Sequence, residues 1–420
     1  IDRYKDYMKR ARFLNVTGRT KAALCGAVFR RDPTCELPTA IEYLKEDADG
    51  AAESLTQVSK RAIDDALITG RYGFLVDYPS APEGMTSEMV AELGLRAHIS
   101  TYKAESIINW KTMTIAGRQI LTLVVLHEKA MEPIDEFDEK EVDRYRVLRL
   151  DDSMNYYQQV YDEHDQPLTE PMYARDSSGA MFNVIPFVFV GAEDNKPSID
   201  EAPLSDLADS NVSWYQVSAD HMENLHIHGQ LTLGIASDMS AAEFKESNPN
   251  GVNVGSRAGH FLGPNGKFTD VSAPESSSLS KALEDIKDDM IAIGGRIIQP
   301  KTGQRTAEEA RIDSASEMSI LETLVGNVSE GIEKACEFVA RFMGADPEQV
   351  EFSLNREFWD QTPDPQMLAT IMGLEDRGHM AQQDIRDYLR RTGVLKAERS
   401  DEEIDEDVSQ DGGIPVEPIA

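Results

Sequence analysis

The sequence predicts an α+β fold in which helices and an antiparallel sheet occupy separate stretches of chain. Three observations carry that reading. Over 96–190 apolar residues recur with a period near two, as in LRAHIST, RQILTLVVLHEK and VDRYRVLRLD. Over 203–343 they recur every three to four residues, the spacing of one helix face. The 420 residues are 40% hydrophobic, enough to bury a sizeable core and to divide into two or more domains.

In chain order, 1–79 read as mostly helical, with Gly50 and Gly70 as breaks and a closing strand at 73–78. Segment 80–95 carries Pro and Gly and reads as a connection. The period-two region continues through SMNYYQQVYDE and MFNVIPFVFV, and LDDSMN (150–155) supplies a hairpin turn. These strands predict one antiparallel sheet in the same domain as the first helices, with 306–365 returning to pack on it.

The next helix, 203–228, places Leu204, Leu207, Asn211/Val212, Tyr215, Ala219, Met222 and Leu225 on one stripe. Pro203 suits its first turn and Gly229 its end; at 1.5 Å per residue it spans about 39 Å. Turn residues then separate short strand candidates at 231–236, 251–255 and 267–271. After Ser276–Ser278 a second helix runs through Leu279, Leu283, Ile286, Met290 and Ile293 in a 4-3-4-3 rhythm and stops at Gly294-Gly295. Its other face holds Glu284, Asp285, Asp288 and Asp289 with Lys281 and Lys287. The loop Gln299-Pro300-Lys301-Thr302-Gly303-Gln304-Arg305 follows. Thr306 with Glu309 forms a capping box that opens a third helix of about 57 Å, ending at Gly344, with Gly326 and Gly331 as expected bend points.

This order resembles the portal proteins of tailed bacteriophages, in which two stem helices bracket a clip and a channel-facing tunnel loop leads into a long kinked wing helix. NVIPFVFVGAED (183–194) is similar to the strand that precedes the portal stem. FLNVTGRTKAALCGAVFRRDPTCELP (13–38) and TGRYGFLVDYP (69–79) are similar to the opening of one branch of portals, and MGLEDRGHMAQQDIRDYLRRTGVL (372–395) to the paired helices after the wing. The resemblance covers 13–79 and 183–395. It rests on the order and spacing of segments, with no single chemical signature.

The resemblance implies a wing at 1–200, stem helix 1 at 201–229, a small α/β clip at 230–275, stem helix 2 at 276–296, a tunnel loop at 297–305, a kinked helix returning to the wing at 306–365, a helical crown at 366–395 and an acidic disordered tail at 396–420. It further implies a homo-oligomeric ring of twelve subunits at one vertex of the virion, assembled in the bacterial cytoplasm. Double-stranded DNA would pass through it without sequence reading. The terminase large subunit would dock first and a head-completion adaptor later, with the major capsid or scaffold protein as neighbour. On that reading Lys301, Thr302, Gly303, Gln304 and Arg305 form the DNA-channel loop, Glu284, Asp285, Asp288 and Asp289 line the channel, and Leu283, Ile286, Met290, Tyr215 and Met222 pack subunits together.

Charge agrees with a conduit. Forty-two basic against seventy-five acidic residues give a net charge of −33, which argues against a duplex-wrapping binder but not against an acidic channel with few sticky sites. It equally suits simple solubility. Residues 1–31 carry net +7 and residues 396–420 net −7, ends that could meet across a subunit interface or leave a solvated tail. Three scattered cysteines form no disulfide framework and fit a reducing compartment. The longest apolar runs, ILTLVVL and VIPFVFV, fall far short of a bilayer span, so no membrane partner is expected.

Reaction chemistry is not legible. His221 and His226 sit five apart on a helix and point in different directions, with no carboxylate at a familiar ligand spacing. KEDADGAAESLT (45–56) has Gly50 at the sixth position of a calcium loop but Lys45 and Thr56 where ligands belong, so it reads as a turn between helices. GPNGKF (263–268) lacks the spacer and Ser/Thr of a phosphate loop. No catalytic residue, cofactor or metal is expected. In an acidic protein, the loop cations Lys301 and Arg305 could touch phosphates weakly, or could be an ordinary surface turn. The rivals are a non-portal scaffold or adaptor of a virion, which would not need the sheet at 96–190, and an enzyme, which would need a pocket with convergent polar groups.

Overall fold

A computed structural model describes residues 2–78, 95–176, 178–228, 233–249, 251, 262–270, 277–294, 307–356 and 358, and beyond these 383, 385, 386, 389, 395, 399–401 and 403–405. The fold is α+β. It has two compact units, one of residues 1–26 and 33–354 and one of 27–32 and 355–420.

The larger unit begins with helices α1 (Asp2–Arg10) and α2 (Val16–Val28) and strand β1 (Thr34–Glu36). A 3-10 turn (Thr39–Lys45) leads through the 45–56 segment to α3 (Leu55–Thr69). That segment is a turn whose carboxylates serve the backbone. Asp47 Oδ1 accepts from the N–H groups of Gly50 and Ala52, and Asp49 Oδ1 from those of Ala51 and Glu53. Ser54 and Gln57 then close a capping box on α3. Gly70 ends α3 in the left-handed region, at φ 70°, and a Cβ there would lie 2.6 Å from the carbonyl oxygen of Asp200.

Strands β2 (Arg71–Asp77), β3 (His98–Lys103), β4 (Ile107–Ile115), β5 (Arg118–Pro133), β6 (Glu139–Leu150), β7 (Tyr156–Tyr161), β8 (Met172–Tyr173) and β9 (Phe187–Gly191) make two antiparallel sheets rather than the one expected. Their orders are β3-β2-β9 and β4-β5-β6-β7-β8. The cause is visible in β2, whose residues are buried on both faces except Asp77. A strand covered on both sides belongs to a separate layer and loses the alternation that periodicity detects. Strand β4 also escaped the sequence reading. It turns into β5 through Ala116 and Gly117, both at positive φ as a two-residue hairpin of the primed type requires.

Three turns around β7 and β8 repeat one device. Asp151 accepts from the N–H groups of Ser153 and Asn155, Asp162 from His164 and Gln166, and Asp176 from Ser178 and Ala180. The fourth residue of each turn, Met154, Asp165 or Gly179, takes positive φ. These bonds favour the ionised carboxylates and hold all three below the usual range, for Asp176 chiefly through the Ser178 hydroxyl.

The two sheets are tied by a half-buried polar network. The Arg146 guanidinium donates to Glu128 Oε1 at 2.6 Å and Oε2 at 3.2 Å and to Gln158 Oε1 at 3.0 Å. Gln158 Nε2 donates to Asp77 Oδ1 at 2.9 Å, and the Tyr102 hydroxyl to Glu128 at 2.5 Å. Burial, reinforced by the Glu128 charge, raises the Tyr102 pKa and keeps its proton in place.

After β9 come helix α4 (Ser205–His228), strand β10 (Leu233–Ala236), helix α5 (Ala241–Ser247), strand β11 (Lys267–Asp270), helix α6 (Ser277–Ile293), helix α7 (Ala307–Met343) and strand β12 (Glu351–Ser353), which pairs antiparallel with β1. Helix α7 carries the core. Leu324, Val325, Val328, Ile332, Ala335, Cys336 and Val339 are all enclosed, and the helix lies against β9 and β2. It is continuous through Gly331, and the structure gives that residue a packing role. A Cβ at 331 would come 2.5 Å from Val190 Cγ2.

In the smaller unit, Ser400 and Glu403 cap one another across a helical turn containing Ile404. Arg386 pairs with Asp401 and Asp405. The expected open tail therefore starts with a capped turn; 406–420, like 359–382, lies outside the described residues.

Two glycines on helices should respond oppositely to alanine. Gly331→Ala should lower stability by about 1–3 kcal/mol, because the new methyl overlaps Val190. Gly26→Ala has nothing within 4 Å of the added carbon and should raise it by about 0.5–1 kcal/mol. Thermal unfolding of both variants checks this; equal shifts would remove the packing role of Gly331.

Candidate functional site

The candidate site is the module formed by α4, the β10–β11 hairpin with α5, and α6. Helices α4 and α6 pack on each other. They run antiparallel, since Gly294 at the end of α6 sits where a Cβ would lie 3.6 Å from Leu207 at the start of α4 and 3.6 Å from Thr20 of α2. At the other end, β10 pairs with β11 in the register Leu233↔Asp270 to Ala236↔Lys267.

Only part of the predicted stripe on α4 is buried within the chain. Leu204, Leu207, Asn211 and Ala219 are buried, Tyr215 and Met222 half-buried, and Val212 and Leu225 exposed. On α6, Met290 is fully enclosed and so packs inside its own chain, whereas Leu283 and Ile286 are half-buried. The four carboxylates Glu284, Asp285, Asp288 and Asp289 are all exposed. Lys301, Thr302, Gly303, Gln304 and Arg305 lie outside the described residues, as do 252–261 of the expected clip.

Asn211 is the residue the sequence concealed. It occupies an apolar stripe position, yet its amide serves the neighbouring helix. Oδ1 accepts from the N–H of Val16 at 3.0 Å, the N–H of Thr17 at 3.1 Å and the Thr17 hydroxyl at 3.2 Å, and Nδ2 donates to the Leu14 carbonyl at 2.8 Å. It thus caps α2 from 195 residues away. Helix α1 lies along the same helix, α4. The Tyr7 hydroxyl donates to Asp220 at 2.8 Å, which raises its pKa, Arg10 pairs with Glu223, and Phe13 meets Tyr215 edge-on at 5.9 Å.

Arg71 fixes the approach to α4. Its guanidinium lies 4.2 Å from the Trp110 ring centroid and 5.0 Å from that of Phe189, and donates to the carbonyls of Pro197 and Ser198. Burial lowers its pKa, with Asp200 opposing. The chain from 197 to 203 is therefore clamped onto the sheet, and the Leu204 N–H closes on Leu67 at 3.2 Å.

In the hairpin module Ser240 and Glu243 form a capping box on α5. The S-x-x-E spacing at 240–243 is the local signal for this helix, which the strand candidates of 231–271 left out but the α/β clip implied by the resemblance included. A groove lined by Asp238, Met239, Glu243, Glu246 and Gly263 opens beside it. A second groove, between the start of α4 and α7, is lined by Ala192, Glu193, Glu201, Pro203, Asp206 and Ile320. Among the described residues no group of three or more His, Cys, Asp or Glu converges as a metal site, and no helix is long and apolar enough to cross a membrane.

A family model described as a domain of unknown function, DUF4055, matches residues 203–343, the span from the approach to α4 through the end of α7. Comparison with curated proteins gives no match. Among solved structures, the chain is similar to a chain of the virion of a native gene transfer agent particle, at 12% identity over 91% of this chain and 92% of that one, with a TM-score of 0.44. It is similar to a chain of the neck of a native gene transfer agent particle computed with C12 symmetry, at 12% identity over 89% of each and a TM-score of 0.43. It is also similar to an HK97 family phage portal protein from Corynebacterium diphtheriae, at 11% identity over 81% of this chain and 93% of that one, with a TM-score of 0.35.

Removing the Asn211 amide tests the clasp. Asn211→Ala should destabilise the protein by about 1–3 kcal/mol, the scale of a lost helix cap and of backbone groups left without partners. It should also speed proteolysis within residues 1–15. Asn211→Asp keeps the acceptor and should cost less. Unchanged unfolding and cleavage in the alanine variant would remove the assignment.

Proposed function

We propose that this protein is a portal of a tailed phage or phage-like particle: a ring of identical subunits at one virion vertex through which double-stranded DNA is packaged, retained and released. The observation that supports it best is the antiparallel pair α4 and α6 bracketing a small hairpin module, with the 37-residue helix α7 next among the described residues. That module coincides with the family match at 203–343. The exposed carboxylates Glu284, Asp285, Asp288 and Asp289 suit a channel wall that repels phosphate, and the half-buried Leu283, Ile286, Tyr215 and Met222 suit contacts between neighbouring stems. Met290 contributes from inside the subunit by holding α6 to its own chain.

The channel loop Lys301–Arg305 would ring the duplex, its two cations touching phosphates without reading bases. The hairpin module would dock the terminase large subunit and later a head-completion adaptor, and the wing would face the capsid or scaffold protein. The portal reading asks for no chemistry from the chain itself, since the motor supplies the work of translocation. A scaffold or adaptor reading leaves the two stacked sheets without a purpose.

Twelve chains of 46.7 kDa give a closed ring of about 560 kDa. Native mass spectrometry of the purified chain should find that species, and end-on electron micrographs a central hole. A monomer at concentrations where such rings assemble would overturn the reading. Leu283→Asp should reduce ring yield at least tenfold while the chain stays folded by circular dichroism. Reversing Lys301 and Arg305 together should leave ring mass unchanged and reduce the fraction of particles holding a full genome; normal filling would refute the loop's role.

A further inference from the structure

The hairpin of β5 and β6 runs past its sheet. Strand β4 pairs with β5 only up to Leu126, and β7 with β6 only from Tyr145 onward. Among the described residues, the two strands from His127 to Arg144 therefore pair with each other alone, down to Pro133↔Glu139. At 3.4 Å per residue this is an arm of about 24 Å. Its sides are braced by His127–Asp143, Lys129–Glu141 and Glu132–Arg144 pairs. Such surface pairs stabilise little, and a free two-stranded ribbon is marginal in water.

The end of the arm is fixed and apolar. Asp135 Oδ1 accepts from the N–H groups of Phe137 and Asp138, shaping the turn. Phe137 is 88% exposed, Ile134 67% and Met131 56%. Around them the stretch 131–141 holds six carboxylates against one cation, Lys140. A cluster of this kind at the end of a projecting arm is the mark of a docking element.

The complementary surface lies on α1 and the residues just after it. Tyr4, Met8 and Phe13 are exposed at 67%, 40% and 60%, interleaved with exposed Lys5, Lys9 and Arg12, Lys9 also pairing with Asp6. The Tyr7–Asp220 and Arg10–Glu223 contacts hold this helix on α4 and leave that apolar, basic side open. By sign of charge, the acidic arm is repelled by the outer face of α6 and by the groove edged with Glu193, Glu201 and Asp206. Within one chain both the arm end and this face are exposed. We propose that the β5–β6 arm of one subunit seats Phe137, Ile134 and Met131 on the Tyr4–Met8–Phe13 face of a second copy, with Asp135, Glu136 and Asp138 against Lys5, Lys9 and Arg12. The contact rests on the ring reading for the presence of a neighbouring copy, and assigns which surfaces meet.

The test is disulfide trapping in the full chain carrying Cys35→Ser. Copies with Phe137→Cys and copies with Met8→Cys are co-expressed and oxidised mildly. A linked pair that forms in the mixture, and in neither variant alone, supports the contact. In a second arm, Glu136→Lys should reduce assembly at low salt at least threefold, and adding Arg12→Glu should restore it. Assembled rings without the cross-link and without charge rescue overturn the contact and leave the ring reading standing. Unsubstituted chain that stays monomeric overturns both. In a chain carrying both cysteines, a disulfide formed only at monomer mass places the contact within one copy and overturns the proposal.

Discussion

The structure depends on how closely α7 approaches the β3-β2-β9 sheet. At Gly331 any side chain would hold the helix away from Val190, and Val325, Val328, Ile332 and Val339 of the same helix are all buried. Dense packing of this kind fixes the position of a helix to a fraction of an ångström, because interiors deform poorly. Asn327 reinforces it, its amide donating to the Gly191 carbonyl at 2.9 Å while its own carbonyl receives the Asn195 amide at 3.0 Å. The last residues of β9 and the chain that follows are thereby placed by α7, and that chain leads to α4.

From there the geometry of the α4–α6 module is passed along by buried polar groups and by one close approach at a glycine. Arg71, between Trp110 and Phe189, clamps 197–198; the Leu204 N–H reaches Leu67; Asn211 caps α2; and Gly294 ends α6 where Leu207 and Thr20 meet. Each of these groups is costly to bury without its partner. That cost selects one arrangement of α2, α4 and α6, which apolar contact alone would leave free to slide. In the ring proposed above, where each subunit repeats its neighbour's geometry, such definition would have a clear use.

Charge is distributed to match. Acidic residues occupy the outer face of α6 and the end of the β5–β6 arm, while the exposed cations of the first helix are gathered beside Tyr4, Met8 and Phe13. Further in, the half-buried Arg146–Glu128–Asp77 network holds the two sheets together. The carboxylates of the three Asp turns are used up by backbone N–H groups. The strongly acidic composition therefore has several structural uses, and the net figure alone reports none of them.

The sequence by itself determined the elements whose signals are local. These are the 4-3-4-3 rhythm of α6, the stripe of α4, the long α7 bounded by Gly344 and the turn at 150–155. Periodicity and capping act within one or two turns of chain, so a single sequence carries them in full. Only the tertiary structure decided that the strands form two sheets, since burial of β2 on both faces erases its alternation. It also decided that Asn211 faces α2, that Gly331 is a point of close approach, and that Met290 is enclosed within its own chain. In each case the deciding partner lies more than a hundred residues away or on another layer. No periodicity within the segment can encode which neighbour a side chain will meet.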